Sequence, residues 1–355
     1  MCGLLVSSCG FGGGPDRSSA PAAARTSDIA CAEEGKLAAS GSTAQQNAMS
    51  HWIRKYRSAC PGVQIRYVPI GSGGGVAQFL RGATVFGGTD TALSQEEFRF
   101  SEDVCNGGTA IDLPMVAGPI AIGYNLDGVK DLVLDAPTLA KIFDSEITKW
   151  NDPQIQRLNP GLQLPATDIT AVHRSDDSGT TQNFNAYLSE AAPDEWPYAK
   201  KKAWQAKGGH SAPGSDGIVS TMRGTDGSIG YFELSFAEAE GMSTVRLDTG
   251  APEPVAVSVG TASAGIAAGK VTGTGKDMTL EFDYRTDAPG AYPIVLVTYE
   301  IVCATGNNPD LLPALKSFLG YTAGEEGQNE LAAIHYAPLP DELAARVRQV
   351  VSTLS

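Results

Sequence analysis

Three segments of the chain share one pattern, in which a short apolar run passes through a turn into an amphipathic helix. In one of them, the β-branched run at 169–172 leads through the polar loop 173–178 into a periodic pattern with Phe184, Tyr187 and Leu188 on one helical face. Repeated units of strand, turn and helix are typical of α/β proteins. The repetition therefore predicts an α/β fold.

The other two segments lie nearer the N-terminus, and their turns consist of glycine and hydroxyl residues. The run 35–39 enters a Ser-Gly-Ser-Thr turn at 40–43 before a helical pattern that contains Trp52. The run 64–68 passes through a Gly-Ser-Gly-Gly-Gly turn into a helical pattern that contains Phe79. Each turn thus opens a helix.

The turn at 173–181 has the properties of an anion-binding site. Asp177 or Ser178 is a natural N-cap, so the unpaired N–H groups of the first helical turn point out of the loop at the positive end of the helix dipole. Arg174 lies beside them, and Asp176 predicts an internal ion pair that leaves other guanidinium donors free for an anion. An ordinary capped helix with a surface arginine is the alternative, but the repetition of the pattern favours a small oxyanion.

A fourth segment places an acidic residue near these donors. The strand-like run 83–86 ends in Gly-Gly-Thr before Asp90, and Ser94 with Glu97 forms a capping box for the next helix. Asp90 is therefore not needed as that helix's cap. Two roles remain open, a turn-stabilising residue or an acceptor among the donors of the anion site.

Composition limits the partners of the chain. Its 355 residues are enough for two domains, and 42% hydrophobic with 19% charged residues is typical of a globular protein. The formal net charge of −14 argues against nucleic acid or an anionic membrane surface as a partner. It does not argue against a small anion, because neutral N–H and O–H donors act on such a ligand at short range.

The first residues resemble an export signal. Residues 5–10 look like the cleavage box of bacterial lipoproteins, in which Cys9 becomes the lipidated residue, but only eight residues precede Cys9. We interpret residues 1–32 as a truncated lipoprotein leader and a flexible tether. The expected location is the outer face of the cytoplasmic membrane, where a lipid holds the exported chain.

Cysteine usage agrees with an oxidising compartment. Besides Cys2 and Cys9 in the leader, the chain has four cysteines, an even number that allows three pairings. Cys31 precedes the first strand and Cys60 follows the helix that returns beside it, which favours Cys31 with Cys60 and Cys105 with Cys303. Buried free thiols in a cytosolic protein are the alternative.

Motifs for other chemistry are weak or missing from the sequence. The glycine turn followed by Asp90 resembles a dinucleotide fingerprint, but Val76 takes the place of its third glycine. No phosphate-loop NTPase motif or serine-hydrolase elbow occurs, and the four histidines are scattered without zinc-site spacing. We expect neither a cofactor nor a metal ion.

The four segments together resemble the phosphate-binding proteins of the bacterial phosphate-specific ABC importer, the PstS family. Further shared motifs are Leu113-Pro114, 141–143, 147–153, 158–161 and 227–231, so the resemblance runs from about residue 35 to the C-terminus. It implies a two-lobed periplasmic-binding-protein fold of type II, with a helix-flanked sheet in each lobe and two crossover hinge segments. Lobe I is expected at 33–116 plus 292–355, and lobe II at 117–291.

The resemblance also implies a set of residues around a dehydrated phosphate. Asp176 is expected to hold Arg174, and the ligand set is Thr43, the backbone of Ala44, Ser72, Asp90, Arg174, Ser178, the backbone of Gly179, and Thr180. The family usually has an aromatic residue in place of Ala44 and a glycine in place of Asp177. The first change predicts some loss of apolar cover, and the second adds a carboxylate near the site.

The implied function is high-affinity binding of inorganic phosphate outside the cytoplasm and its delivery, by a monomer, to the permease and ATPase of an importer. An enzyme acting on phosphate esters is one alternative, but the sequence shows neither a nucleophile nor a metal site for it. A binding protein for another oxyanion, such as sulfate or molybdate, is a second alternative, which Asp90 disfavours.

Overall fold

The computed structural model describes residues 29–267 and 269–355. Residues 1–28 of the predicted leader and tether, including the lipidation site at Cys9, lie outside the described residues. The strands are β1 (Gly35–Gly41), β2 (Val63–Pro69), β3 (Phe86–Thr89), β4 (Ala110–Asn125), β5 (Val133–Asp135), β6 (Thr170–Arg174), β7 (His210–Ala212), β8 (Ser228–Glu233), β9 (Ser243–Thr244), β10 (Arg246–Asp248), β11 (Val255–Ala256), β12 (Lys270–Val271), β13 (Leu280–Glu281) and β14 (Val295–Cys303).

Helices lie between most of these strands. They are α1 (Gln46–Ala59), α2 (Ser72–Leu80), α3 (Gln95–Val104), α4 (Ala136–Phe143), α5 (Pro153–Leu158), α6 (Gly179–Ala191), α7 (Gly214–Arg223), α8 (Leu234–Glu240), α9 (Val259–Ala267), α10 (Leu312–Thr322), α11 (Glu325–Asn329) and α12 (Asp341–Ser352), with a 3₁₀ turn at Ala332–Ile334.

The main sheet has nine strands in the order β2-β1-β3-β14-β4-β8-β6-β7, with β9 beside β4. In lobe I, β1 is parallel to β2 and β3, while β14 runs antiparallel to β3 and β4. In lobe II, β6 is parallel to β7 and β8. Parallel strands end at one edge of their sheet, so each lobe presents a row of strand-to-helix turns there.

The long strand β4 links the two halves of the sheet. Its residues 110–119 pair with β14, whereas residues 120–125 pair with β8. The chain returns beside this point, where the Tyr292 hydroxyl donates to the Ile120 carbonyl at 2.9 Å. Two adjacent chain passages are the arrangement expected of a hinge. The predicted two-lobed α/β fold is thus confirmed.

Each lobe has its own hydrophobic core. In lobe I, Trp52 and Phe318 are completely buried among side chains from β1, β4 and the C-terminal helices. In lobe II, Trp150, Phe184 and Tyr231 are equally buried. Apolar burial of this kind is the main stabilising contribution in folding, and here it makes each lobe a firm support for its turns.

The structure confirms the predicted capping box at Ser94 and places the preceding strand later in the chain than predicted. The Ser94 side chain accepts from the Glu97 N–H and the Glu97 carboxylate accepts from the Ser94 N–H, as the capping box predicts. The strand predicted at 83–86 instead begins at Phe86 and continues through two glycines to Thr89. The two glycines belong to the strand because they pair with β1 on one side and β14 on the other. No side chain fits at Gly88, where a Cβ would lie 2.1 Å from Gln45 Nε2.

The two predicted disulfides are present. Cys31 is bonded to Cys60, and Cys105 at the end of α3 is bonded to Cys303 at the end of β14. The Cys105–Cys303 bond lies within lobe I, whereas the Cys31–Cys60 bond fastens the last part of the predicted tether to lobe I. The first ties the start of the described chain to the end of α1, and the second ties α3 to the central strand β14.

We expect loss of the Cys105–Cys303 bond to destabilise the protein more than loss of the Cys31–Cys60 bond. The sequence separations are 198 and 29 residues, and loop-closure entropy assigns such loops about 5 and about 4 kcal/mol. The measurement is urea unfolding of two double variants, Cys105→Ala with Cys303→Ala and Cys31→Ala with Cys60→Ala. Equal or reversed losses would mean that packing around the sulfur atoms outweighs the entropy of the unfolded chain.

Candidate functional site

The turns of the two lobes face each other across a closed cleft. A Cβ added to Gly179 at the start of α6 would lie 2.5 Å from Ser72 Oγ and 2.6 Å from Asp90 Cβ. Because Gly179 has no side chain, the backbone of lobe II can lie directly against Ser72 and Asp90 of lobe I. The predicted site residues Thr43, Ala44, Ser72, Asp90, Arg174, Ser178, Gly179 and Thr180 are all buried.

Arg174 ends β6 and is held by Asp176. Its Nε donates to Asp176 Oδ1 at 2.8 Å and its Nη2 donates to Oδ2 at 2.5 Å, while Oδ1 also accepts from the Gly214 N–H at 3.0 Å. Partial burial opposes ionisation of Asp176, but the hydrogen bonds and charge of Arg174 outweigh it and lower the pKa of Asp176. The Arg174 side chain is 2% exposed, and these two bonds leave Nη1 available to a ligand.

Asp90 follows β3 and is surrounded by hydroxyl donors. Its Oδ1 accepts from Thr298 Oγ1 at 2.8 Å, and its Oδ2 accepts from Ser72 Oγ at 3.3 Å and Thr180 Oγ1 at 3.4 Å. Burial raises the pKa of Asp90, against the opposing effect of hydrogen bonds from Ser42 and Thr298 and of the Arg174 charge. The carboxylate thus bonds to distant segments, whereas a turn-stabilising aspartate would bond within its own loop.

The start of α6 supplies further donors. Ser178 is its N-cap, and Ser178 Oγ accepts from the Thr181 N–H at 3.1 Å. The first N–H groups of the helix, including those of Gly179 and Thr180, lack intrahelical partners by geometry and lie at the positive end of its dipole. Of the two caps that the sequence left open, the structure uses Ser178.

The turn after β1 contributes Thr43 and Ala44. Thr43 Oγ1 lies 3.0 Å from Ser215 Oγ of lobe II. The Ala44 N–H, which the family resemblance assigns to the anion, donates to Ser42 Oγ at 3.0 Å, and its carbonyl accepts from the Tyr336 hydroxyl at 2.5 Å. Ala44 is fully buried, so neighbouring residues shield this position from solvent although Ala44 has no aromatic ring.

Sequence reasoning missed several polar residues that touch Asp90 or its neighbours. Thr298 donates to the Asp90 carboxylate, Asn183 Nδ2 donates to the Asp90 carbonyl at 2.8 Å, and the Tyr231 hydroxyl accepts from the Arg174 N–H at 3.3 Å. Thr298 had a detectable signal, because Thr298 and Glu300 interrupt the otherwise apolar run of β14. Asn183 lies on the helical face beside Phe184 and carries no such signal.

Several contacts hold the lobes together around the site. The Gly73 N–H donates to the Asp177 carbonyl at 2.9 Å, and Lys202 Nζ lies 3.5 Å from Glu97 Oε1. Gly71 has a φ of +86°, and a Cβ there would lie 2.3 Å from Asp176 Oδ2. Glycine is therefore needed at 71 both for its conformation and for the approach of lobe II.

The arrangement is suited to holding an oxyanion. Buried hydroxyl and N–H donors from both lobes and one arginine lie around the Asp90 carboxylate, while the Asp176 carboxylate is occupied by Arg174. Within the described ranges, no three His, Cys, Asp or Glu side chains lie close enough to hold a metal ion. His173, next to Arg174, stacks on Trp204 with ring centroids 4.8 Å apart, and burial lowers the pKa of His173.

Comparison with known proteins agrees with this architecture. A family model described as a PBP superfamily domain matches residues 18–326. A phosphate-bound periplasmic phosphate-binding protein, PfluDING, is 20% identical with a TM-score of 0.70, covering 90% of this chain and 93% of its own. A phosphate-bound substrate-binding protein from Clostridium perfringens is 19% identical with a TM-score of 0.62, covering 86% and 100%. These likenesses support the fold.

Closer relatives share the sequence as well. The phosphate-binding protein PstS 3 of Mycobacterium leprae is 42% identical over 99% of this chain and 96% of its own length. The phosphate-binding protein PstS of Xylella fastidiosa is 34% identical over 88% and 84%. Within residues 29–267 and 269–355, no helix has the length and apolar character to cross a membrane. The identity to PstS proteins over most of the chain shows that the chain belongs to the PstS family of the PBP superfamily.

Proposed function

We propose that the protein binds inorganic phosphate between its lobes. The observation that carries the proposal is the pairing of a buried cation, Arg174, with a buried acceptor, Asp90, amid hydroxyl and N–H donors. The proposed ligand set is Thr43, the Ala44 N–H, Ser72, Asp90, Arg174, Ser178, the Gly179 N–H and Thr180. Asp176 orients Arg174, and Thr298 orients Asp90.

Asp90 gives this site its selectivity. Hydrogen phosphate carries an O–H group that can donate a hydrogen bond to a carboxylate. Sulfate at the same position has no proton, so only negatively charged acceptor oxygens would face Asp90. A buried acceptor left without its donor, together with like-charge repulsion, disfavours the unprotonated anion. The donors attract any small oxyanion, and the acceptor selects the one with a proton.

The proposed biological role is delivery of phosphate to an import system. A ligand that contacts both lobes stabilises the closed form by its differential contacts. The chain then acts outside the cytoplasm as a monomer, anchored through Cys9, and hands phosphate to the permease and ATPase of an ABC importer. Lobe I comprises 33–116 and 292–355 and lobe II 117–291, with the site where they meet.

A role in binding fits the site better than catalysis. Hydrolysis of a phosphate ester requires an activated nucleophile or a metal-activated water. Around Arg174 and Asp90, the hydroxyl groups of Ser72, Thr180 and Thr298 donate to a carboxylate, and none is paired with a histidine in the described structure. These hydroxyls are placed to hold an anion.

The first test of the proposal is Arg174→Ala. We expect phosphate affinity to fall more than about a hundredfold, since Arg174 should donate two charge-assisted hydrogen bonds to the anion and each contributes about 1.5–3 kcal/mol. Calorimetric titration of ligand-stripped protein measures the change. Arg223→Ala is the matched control, because that arginine is 61% exposed and pairs with Glu240 away from the site. Unchanged affinity in a folded Arg174→Ala protein would place the anion elsewhere.

The second test separates selectivity from affinity with Asp90→Asn. We expect the amide, which offers an N–H to an unprotonated oxygen, to bring sulfate affinity at least about tenfold closer to phosphate affinity. Competition of sulfate against labelled phosphate at one pH and salt concentration provides the ratio. Asp112→Asn is the control, since Asp112 is another buried carboxyl group of lobe I. Equal ratios in the wild type and Asp90→Asn would mean that selectivity has another source.

The third test concerns closure through the Glu97–Lys202 pair. The Glu97 and Lys202 side chains are 27% and 16% exposed, and an ion pair that water still reaches contributes about 0.2–1 kcal/mol. We expect Lys202→Ala to speed phosphate dissociation about twofold to fivefold at low salt, with a smaller effect at high salt. Lys200→Ala is the control, because its partner Glu190 lies in the same lobe. Identical dissociation rates in the wild type and Lys202→Ala would show that this pair does not hold the cleft closed.

A further inference from the structure

One segment of the chain bridges the two lobes outside the main sheet. It follows α9 and comprises residues 269–286, which we call the arm. Its strands β12 and β13 form a separate two-stranded antiparallel sheet. Met278, just before β13, is 1% exposed and belongs to the hydrophobic core of lobe I. The connection between β12 and β13 is thus anchored in lobe I.

Hydrogen bonds hold this part of the arm against lobe I. The Asp277 carboxylate accepts from the Asp112 N–H at 2.8 Å, and the Met278 N–H donates to the Asp112 carbonyl at 3.0 Å. The Leu280 N–H donates to the Tyr299 hydroxyl at 2.9 Å. Asp112 lies in the lobe I half of β4 and Tyr299 lies in β14, so the arm is fixed to two neighbouring strands of the main sheet.

The end of the arm reaches the anion site from the side of lobe II. Tyr284 is 8% exposed and belongs to the hydrophobic core of lobe II. Its hydroxyl donates to Asn183 Oδ1 on α6 at 2.8 Å. The arm therefore passes from the core of lobe I at Met278 to the core of lobe II at Tyr284, beside the first turns of the anion-binding helix.

Asn183 is bonded at both ends of its amide group. Its Nδ2 donates to the Asp90 carbonyl at 2.8 Å and to the Gly179 carbonyl at 2.9 Å. Because carbonyl oxygens only accept, these two contacts use both amide protons and fix the orientation of the group. The amide oxygen is then left to accept from the Tyr284 hydroxyl. Asn183 is buried, so water cannot easily replace a partner that is lost.

We propose that the arm is a strap between the lobes, in which Tyr284 holds Asn183 of lobe II against the Asp90 backbone of lobe I. Asn183 and Tyr284 are positioning residues, because they act on the anion through Asp90. The Asp90 N–H donates to Ser72 Oγ at 3.1 Å within lobe I, and the Asp90 carbonyl is held from lobe II. Closure of the cleft thereby completes the support of Asp90. The effect on phosphate affinity rests on the proposed function.

Opening of the cleft works against this strap. Asn183 and Tyr284 move with lobe II, whereas Asp90 and the anchored residues 277–280 move with lobe I. Separation of the lobes therefore breaks the bond between Asn183 and Asp90 and pulls on the chain between Leu280 and Tyr284. That connection spans at most roughly 14 Å when fully extended, so it limits opening while the arm stays on lobe I. The strap thus favours the closed form.

The first test measures phosphate binding by Tyr284→Phe and Asn183→Leu. Phenylalanine keeps the ring but removes the donor to Asn183, so we expect phosphate affinity to fall about fivefold to tenfold. Leucine also removes the bond to Asp90, and we expect a fall of about tenfold or more. Both losses should appear mainly as faster phosphate dissociation in stopped-flow measurements, because the strap stabilises the closed form.

Tyr56→Phe is the matched control. Tyr56 is a buried tyrosine whose hydroxyl contacts Ser317 at 2.6 Å, and both residues belong to lobe I. We expect this variant to bind and release phosphate as the wild type does. Phosphate affinity and dissociation in Tyr284→Phe that match those of Tyr56→Phe would overturn the inference.

Amide hydrogen exchange followed by NMR tests the strap without phosphate. The Gly73 N–H donates to the Asp177 carbonyl across the cleft at 2.9 Å, so its exchange reports opening of the cleft. We expect Tyr284→Phe to speed exchange at Gly73 about fivefold and Tyr56→Phe to leave it unchanged. Equal exchange at Gly73 in the wild type and Tyr284→Phe would overturn the inference. Faster exchange in Tyr284→Phe, in a protein whose wild type does not bind phosphate, would reject the proposed function and support the strap.

Discussion

The cleft is organised around the buried carboxylate of Asp90. Its donors come from three separate segments, with Ser72 and Thr298 in lobe I and Thr180 in lobe II. A buried carboxylate needs several hydrogen bonds to stay ionised, so closing the lobes and satisfying Asp90 are physically coupled. A protonated ligand oxygen would be a suitable further hydrogen-bond donor to the Asp90 carboxylate.

The sheet explains how distant segments reach one point. The parallel strands of each lobe end at one edge, where their turns become the starts of helices, and β4 carries the chain from one half of the sheet to the other. Glycine at 71 and 179 then removes the side chains that would keep the lobes apart. Precision at the cleft comes from backbone geometry as much as from the side chains that line it.

Features of the structure that depend on residues close together in sequence were largely predictable. The capping box at Ser94 follows from residue type and spacing, the cap of α6 was narrowed to Asp177 or Ser178, and the first disulfide followed from the order of one strand and one helix. The register of β3 was not predictable, because its glycines belong to a strand only through neighbours on both sides. The contact of Asn183 with Asp90 joins residues far apart in sequence and depends on closure of the cleft.

The acidic composition of the chain is compatible with anion binding because burial disfavours the charged form of several of its acids. Burial raises the pKa of Asp112 and of Glu233 to about 8, and it raises the pKa of Glu300 well above its ordinary value. At neutral pH the interior therefore carries less negative charge than the formal −14 indicates. Near the cleft, burial and then the Asp90 charge raise the pKa of Glu233 and of Glu300, so ionisation of Asp90 and ionisation of these two acids oppose each other.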